Sequence, residues 1–316
     1  MSKILTVGEP MALFVAEKEG PLEDVEHYSR FVAGAEVNFS IGMSRLEHQV
    51  TYISQVGLDP FGKYIKKFLD QNKIDTSLVT FESNYGTGMQ WKQKVASGDP
   101  EVHSARKHSA ASHMDVKKLA NIKWDEFDHL HLTGIPPALS GSCRNMIYEL
   151  IKEAKAKGIQ ISFDTNLRPG LWDSEETMAH VINDLAFQAD IVLPGIDEGK
   201  LLTGKQNERE IAEFYHAAGV KTVVIKLGAK GAYTSSEGEQ FYTEGYPVKK
   251  VVDTVGAGDG FAVGVVSGIL EGLALNEAVR RGTIIGALAV MSPGDNDGLP
   301  DREKLELIAK GSVANS

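Results

Sequence analysis

The segment that most constrains how this 316-residue chain can fold is 253–259 (Asp-Thr-Val-Gly-Ala-Gly-Asp). A β-branched run at 248–252 precedes it, and an almost entirely apolar run that ends at Leu270 follows it. This order predicts a strand, a tight glycine turn and the N-terminus of a buried helix. Because the first amides of a helix have no partner within it and the helix dipole favours negative charge there, the segment predicts an anion-binding turn.

The carboxylate within this turn indicates a chemical task. Asp259 would repel a bound phosphate, and the use of a carboxylate beside a phosphoryl group is to accept a proton from an attacking hydroxyl. Gly256, Ala257 and Gly258 would let backbone amides approach the phosphate and stabilise the charge that develops there. The alternative is a capped helix with an acidic first turn. We predict that Asp259 is the general base of a phosphoryl transfer and that the other three residues complete the catalytic turn.

Composition narrows the class of protein. With 42% hydrophobic and 24% charged residues, the chain can build one large core, with or without a small appended domain. A net charge of -10 argues against nucleic acid or an anionic membrane as the main partner. No apolar run reaches the ~18 residues of a membrane span, and the chain enters its first strand without a signal-peptide pattern. The single cysteine, Cys143, excludes an intramolecular disulfide, and a cytoplasmic enzyme is predicted.

The succession of strands and helices predicts a doubly wound, mainly parallel α/β sheet flanked by helices. Two parts of the chain, at about 10–32 and 80–111, contain consecutive strands instead, with a hairpin turn at 97–100. They predict a small β-sheet inserted in a single domain that spans residues 1–316. Gln90, Lys92 and Lys94 would share one face of this sheet. That basic face either meets a substrate or is solvated surface.

Several segments together resemble the PfkB (ribokinase-like) carbohydrate kinases, in which the aspartate of a Gly-Ala-Gly-Asp turn is the catalytic base. The turn at 253–264 is similar to the C-terminal signature of that family, and 33–40 (Ala-Gly-Ala-Glu-Val-Asn-Phe-Ser) is similar to its N-terminal signature. The segment 57–62 matches the family's Gly-x-Asp-x-Phe-Gly turn, while Glu47 stands where the family usually has glycine. The resemblance covers nearly the whole chain. It implies ATP-dependent phosphorylation of a primary hydroxyl under a lid that closes over the sugar, and homo-oligomer contacts through that lid.

The same resemblance assigns the nucleotide and the metal. MgATP would lie along the turns at 228–231 and 256–258. The expected nucleotide-binding residues are Asn166, Arg168, Lys226, Gly228, Gly231, Gly256, Gly258 and Thr283. Glu198 would act near Mg²⁺ through water, but Gly195 replaces the asparagine that the family often has before it. A carboxylate that caps its own helix is the competing explanation of Glu198.

A second set of residues is expected to bind the sugar. Gly34 and Asn38 stand at a helix start, which suits hydrogen bonds to a polyol but also fits an ordinary helix cap. The segments 106–111, 131–139, 164–168 and 294–295 look most like 2-keto-3-deoxygluconate kinases, whose arginines matching Arg106 and Arg168 lie at the substrate carboxylate. A guanidinium binds a carboxylate with a bidentate fork, although each arginine alone could be a structural ion-pair partner. The expected substrate-binding residues are Gly34, Ala35, Asn38, Arg106, Arg168, Asp259 and Asp295.

Alternative substrates and functions are left open by a departure from the subfamily pattern and by a motif that other sugar kinases share. Ser104 occupies a position where that subfamily commonly has tyrosine, and an Asp-x-Asn-x-Arg turn also occurs in fructokinases and 5-keto-2-deoxygluconate kinases. Fructose and 5-keto-2-deoxygluconate are therefore alternative substrates. A non-catalytic sugar or nucleotide sensor is disfavoured because a pure binder has no need of a base beside the phosphate. A dehydrogenase is disfavoured because the first strand is not followed by the dinucleotide-binding glycine fingerprint.

Overall fold

A computed structural model describes residues 1–95, 100–248, 250–292, 294 and 296–309. Its strands are, in chain order, β1 (Lys3–Val7), β2 (Met11–Glu19), β3 (Tyr28–Ala33), β4 (Gln49–Gly57), β5 (Val79–Glu82), β6 (Met89–Lys94), β7 (Val102–Ala105), β8 (His129–Thr133), β9 (Gln160–Asp164), β10 (Ile191–Val192), β11 (Thr222–Lys226), β12 (Gly231–Ser236) and β13 (Glu239–Glu244). The helices are α1 (Ala35–Arg45), α2 (Pro60–Gln71), α3 (Pro136–Leu139), α4 (Gly141–Ala156), α5 (Glu175–Ala186), α6 (Ile196–Thr203), α7 (Glu208–Ala217), α8 (Ala257–Leu270), α9 (Leu275–Ala289) and α10 (Arg302–Ala309).

The main sheet has the order β13-β12-β11-β10-β9-β8-β1-β4-β5 among the described residues. Its strands from β11 to β5 in this order are parallel, and β12 and β13 add an antiparallel edge. Strands such as β8 are buried along their whole length, as expected for a parallel sheet covered by helices on both faces. The predicted fold class, a mainly parallel α/β sheet with a small additional sheet, is confirmed.

Two apolar cores hold the helices against this sheet. One includes Phe163 and Ile147 and packs α4 and α5 on one face. The other includes Phe39 and Val263 and packs α1, α8 and α9 on the opposite face. The glycines of α8 permit this second packing, since a Cβ at Gly264 would lie only 2.4 Å from the backbone nitrogen of Gly282 on α9. The glycine turn at 253–259 thus leads into a helix that is buried along most of its length.

The small sheet has the order β3-β2-β6-β7. Asp59 connects it to the main body, because its carboxylate caps α2 by accepting from Phe61 N at 2.9 Å and Gly62 N at 2.8 Å, and also accepts from Thr87 N at 2.8 Å, just before β6. Burial raises the pKa of Asp59, but these hydrogen bonds outweigh it and lower the pKa overall. The turn at 57–62 therefore anchors the segment at Thr87, just before β6, to the N-terminus of α2.

Some local predictions need correction. The described residues of the run at 248–252 form no strand, although its β-branched side chains predicted one. Val251 and Val252 are 56% and 48% exposed, and no strand pairs with the described residues of this segment, which connects β13 to the turn before α8. The sequence analysis also did not identify β12 and β13, which form a hairpin before this run. The predicted hairpin turn at 97–100 falls largely on residues 96–99, outside the described residues.

Glu47, which departs from the family pattern, has a structural explanation. It follows α1 with a φ of 67°, the left-handed conformation that glycine adopts most easily. Its carboxylate lies 3.2 Å from Nε of Arg302 on α10. The departure therefore replaces a glycine at a helix end with a residue that ties the C-terminal helix to α1, away from the site described next.

Candidate active site

A polar cavity of about 330 Å³ lies between the small sheet and the carboxyl-end edge of the main sheet. This volume is in the range of small-molecule sites, and the carboxyl ends of parallel strands are where open α/β sheets bind ligands. Its lining residues include Glu9, Met11, Gly34, Ala35, Asn38, Gln90, Arg106, Asp164, Asn166, Arg168, Glu198, Lys226, Gly256, Gly258 and Asp259. Most of the residues predicted from the sequence therefore converge on one cavity.

Asp259 lies in the first turn of α8 and faces this cavity. Asn38 Nδ2 donates to its Oδ2 at 2.8 Å, and Asn166 Nδ2 donates to its Oδ1 at 3.4 Å. Burial raises the pKa of Asp259, while the hydrogen bond from Asn38 and the charges of Arg168 and Lys226 oppose that rise. The result is a carboxylate that is more basic than a solvated aspartate and is held by two amides.

Two glycines give this region its backbone geometry. Gly256 precedes α8 with a φ of 84°, and Gly34 precedes α1 with a φ of 143°, conformations that other residues adopt at a cost. A Cβ at Gly34 would also lie 2.9 Å from the carbonyl oxygen of Glu9. Both helices therefore direct their N-termini into the same region, one lining the cavity with Asn38 and the other with Asp259.

Lys226, at the end of β11, forms the main cationic group beside the turn. Its Nζ donates to both carboxylate oxygens of Asp164, at 2.8 and 2.9 Å. Burial lowers the pKa of Lys226, but the charges of Asp164 and Glu198 outweigh this and raise it, so the ammonium is retained. A Cβ at Gly258 would lie 3.5 Å from this Nζ. The ammonium thus lies next to the glycine turn that begins α8 and is paired with Asp164.

Glu198 is engaged by its own surroundings. Its Oε2 accepts from Gly195 N at 2.7 Å and from Thr165 Oγ1 at 2.8 Å, and its Oε1 accepts from Leu167 N at 2.8 Å. Burial raises its pKa, yet Lys226 and these hydrogen bonds lower it overall, so the group is ionised. The capping role is therefore present in the structure, and the carboxylate still lines the cavity. Within the described ranges no three His, Cys, Asp or Glu side chains are grouped as a ready-made metal site.

A second cavity, of about 390 Å³, is mostly apolar. Gly228 and Gly231 line it from the turn after β11, and Thr283 lines it from α9. Its remaining walls include Ala229, Tyr246, Val248, Val251, Ala257, Phe261, Ala287 and Val290. Lys226, Thr254 and Gly258 line both cavities, so the two meet at the anion-binding turn. An apolar slot joined to a polar cavity by helix-terminal amides suits a nucleotide base, its phosphates and a polyol in that order.

The two predicted arginines differ in their surroundings. Arg106 is buried, and its guanidinium pairs with Glu9 through Nε at 2.7 Å and a terminal nitrogen at 2.5 Å. The other oxygen of Glu9 accepts from the hydroxyl of Ser109. Arg168 is exposed and donates to the carbonyl oxygen of Leu167 at 2.8 Å. Arg106 is therefore already fixed by a carboxylate, whereas Arg168 keeps most of its guanidinium accessible at the cavity.

The remaining predicted residues are placed as follows. Asn166 and Arg168, expected at the nucleotide, line the polar cavity rather than the apolar one. Asp295 lies outside the described residues. The sequence analysis missed Glu9, although a carboxylate directly after a buried first strand was a usable signal. The thiol of Cys143 is buried, and that burial raises its pKa to about 11.

Glu36 is a buried carboxylate in the first turn of α1, next to Ala35, which lines the polar cavity. Thr133 donates its hydroxyl to Oε1, whereas no hydrogen-bond partner reaches Oε2 within the described residues. Burial raises the pKa of Glu36 from 4.5 to about 7, with a smaller contribution in the same direction from Asp259. The carboxyl group is therefore protonated in the folded protein over a range of pH in which it is ionised in the unfolded chain.

We expect this group to make stability depend on pH. The folded pKa of Glu36 is raised, so its contribution is fully present below pH 4.5 and is lost as the pH rises through about 7. Glu36→Gln cannot ionise, and its stability relative to wild type should therefore increase by about 3 kcal/mol from acid to mildly alkaline pH. Urea unfolding across this range measures the difference, with the exposed Glu277→Gln as control. Parallel curves for wild type and Glu36→Gln would contradict a raised pKa at this position.

Comparison with known proteins identifies the family. A profile described as pfkB family carbohydrate kinase matches residues 1–302. The 2-dehydro-3-deoxygluconokinase of Bacillus subtilis (strain 168) is 46% identical over 302 residues, which is 95% of this chain and 93% of that protein. The chain belongs to the PfkB family of carbohydrate kinases. This PfkB kinase is thus a phosphotransferase that acts on a hydroxyl group of its acceptor.

Solved structures agree with that assignment. A PfkB protein from Polaromonas sp. JS666 superposes with a TM-score of 0.89 at 43% identity, covering 97% of this chain and 99% of that one. A candidate ribokinase II from E. coli, crystallised in complex with ATP and Mg²⁺, superposes with a TM-score of 0.90 at 26% identity, covering 98% and 100% of the two chains. No helix in the described part of this PfkB kinase is both long and apolar enough to cross a membrane.

Proposed function

We propose that this PfkB kinase transfers the γ-phosphoryl group of ATP to the C6 hydroxyl of 2-keto-3-deoxygluconate (2-dehydro-3-deoxygluconate), giving 2-keto-3-deoxy-6-phosphogluconate. The observation that carries the proposal is the position of Asp259, a basic carboxylate that lines the polar cavity directly after Gly258, which lines both cavities. The choice of sugar is supported by the 46% identity to the Bacillus subtilis kinase and by two arginines at the polar cavity.

The reaction would proceed in line across the junction. Asp259 accepts the proton of the C6 hydroxyl as that oxygen attacks the γ-phosphorus and the bond to the β-phosphate oxygen breaks. The amides of Ala257, Gly258 and Asp259 at the start of α8 stabilise the negative charge on the transferred group, and Lys226 adds a positive charge beside them. Asn38 and Asn166 orient the carboxylate of Asp259.

The acidic groups of the site fit a magnesium ion that is held largely by phosphate and water. Mg²⁺ commonly uses only one or two protein carboxylates together with phosphates, and Glu198 is ionised, lines the cavity and can reach such an ion through water. When bound, the ion neutralises phosphate charge during the transfer. The apolar cavity would hold the adenine, with Gly228, Gly231 and Thr283 among its walls.

The carboxylate of the sugar acid would meet the two arginines. Arg168 has an accessible guanidinium, and Arg106 presents the donors that Glu9 does not use. Gly34, Ala35 and Asn38 lie along the same cavity and would contact the sugar hydroxyls or carbonyl. We propose Asp295 as a further substrate contact from the sequence alone. The parts at about 10–32 and 80–111 would act as the lid of this single domain, in a cytoplasmic enzyme that forms homo-oligomers through the lid.

Turnover of a sugar panel tests the substrate. Coupled assays of ADP formation with 2-keto-3-deoxygluconate, fructose and 5-keto-2-deoxygluconate as acceptors should show turnover with the first alone. Arg168→Ala should raise KM for it roughly 10- to 100-fold, since a hydrogen bond to a charged group contributes about 1.5–3 kcal/mol. Arg209→Ala, which removes an exposed arginine on α7, is the matched control. A preference for neutral fructose would leave the kinase assignment intact but make Arg168 a structural residue.

A further inference from the structure

A buried ion pair joins the small sheet to the anion-binding turn. The ammonium of Lys92 on β6 contacts the carboxylate of Asp253, and the two side chains are only 6% and 7% exposed. Burying two charges costs free energy that their attraction does not always repay, so such a pair is weak evidence for stability. Because the pair joins the small sheet to the turn before α8, it is in a position to fix one relative to the other.

Asp253 anchors the start of the anion-binding turn. Its Oδ1 accepts from Val255 N at 3.0 Å, and its own N–H donates to the carbonyl oxygen of Val290, directly after α9, at 3.2 Å. Gly256, three residues later, is the N-cap of α8. The carboxylate of Asp253 thus contacts its own turn through one oxygen and Lys92 through the other, so its position is transmitted directly to the amides that follow.

Lys92 lies on the face of β6 that the small sheet turns toward the site. Gln90, two residues earlier and therefore on the same face, lines the polar cavity. Lys92 is paired in register with Val15 of β2 and Val102 of β7, so it moves with the sheet. It is not a lining residue of either cavity described above. The contact of Lys92 with Asp253 therefore provides a route from the small sheet to the turn that does not require Lys92 to contact a substrate.

We propose that Lys92 is a positioning residue that couples the small sheet to the anion-binding turn, so that a sugar held under the sheet strengthens nucleotide binding. This inference rests on the proposed function, since it takes the turn as the phosphate site and the polar cavity as the sugar site. A sugar that contacts Gln90 fixes β6, Lys92 then fixes Asp253, and the turn at 253–258 is held in its binding geometry. By reciprocity, a bound nucleotide strengthens sugar binding by the same factor.

Calorimetric titration of a non-hydrolysable ATP analogue with Mg²⁺, with and without 2-keto-3-deoxygluconate, tests this coupling. In the wild-type enzyme the sugar should tighten analogue binding on the order of 5- to 150-fold. Lys92→Met should reduce that factor to less than about twofold while leaving binding of the sugar alone unchanged. Lys94→Met is the control, because Lys94 is exposed on the same strand and donates to the carbonyl oxygen of Glu17.

The double variant Lys92→Met/Asp253→Asn guards against misfolding of the single variant, because it removes both charges of the described pair. It should lose the coupling as the single variant does. If either variant kept the wild-type coupling factor, or if the wild-type enzyme showed no coupling, the proposal would be overturned. If the sugar panel identifies another substrate, only the proposed substrate is wrong. The coupling is then measured with that sugar, and the same two results would overturn it.

Discussion

Asp259→Asn is expected to lower kcat about 10²- to 10⁴-fold, the range that general-base catalysis typically supplies. The asparagine keeps the size of the side chain and can still accept a hydrogen bond from Asn38, but it cannot take a proton. The affinity for the sugar should therefore change little, so the loss falls on kcat rather than KM. Steady-state kinetics, together with direct sugar binding to the variant, measure both quantities.

The matched control is Asp197→Asn, which changes a carboxylate whose side chain is 92% exposed on α6. It should leave kcat unchanged. In the wild type, the acid limb of the kcat profile should lie at higher pH than for a free aspartate, because burial raises the pKa of Asp259 above 3.8. Near-normal turnover by Asp259→Asn would remove Asp259 from the mechanism.

Arg106→Met is expected to destabilise the protein by about 3–5 kcal/mol, because it leaves the buried carboxylate of Glu9 without its partner. The Glu9 side chain has no solvent exposure and the Arg106 side chain only 9%. Adding Glu9→Gln should restore a large part of this loss, since the amide carries no charge and can still bond to Ser109. Urea unfolding of the wild type, both single variants and the double variant gives the four free energies of unfolding that this double-mutant cycle needs.

An exposed pair provides the comparison for this cycle. Lys157 and Asp125 form a solvent-exposed ion pair at 2.9 Å, and Lys157→Met should change stability by less than about 1 kcal/mol. If Arg106→Met were equally mild, or if Glu9→Gln restored nothing, Glu9 would not hold Arg106 as we infer.

The fold was largely predictable because its signals are local. The buried strands alternate with amphipathic helices, and a glycine turn followed by an apolar run fixes where α8 begins. Asn38 and Asp259 also belong to motifs in which neighbouring residues carry the pattern. Their direct hydrogen bond at 2.8 Å joins residues that the sequence analysis had assigned to one site from two distant signatures.

The missed features depend on tertiary contacts that no local pattern encodes. Gln90, Lys92 and Lys94 alternate as a solvated basic strand face would, yet Lys92 is buried because Asp253, far along the chain, meets it. Arg106 was predicted at the substrate carboxylate, with a structural ion pair as the alternative, and Glu9 occupies part of its guanidinium. The run at 248–252 has the composition of a strand but no neighbour with which to pair. In each case the presence or absence of a tertiary partner, rather than the residue type, decides what the residue contacts in the fold.

Phosphorus–proton correlation NMR of the reaction product tests the central claim most directly. With ATP and 2-keto-3-deoxygluconate, the account predicts ADP and one sugar phosphate whose phosphorus couples to the two protons on C6. Phosphate coupled to another position, or no sugar phosphate from this substrate while fructose is phosphorylated, would contradict it.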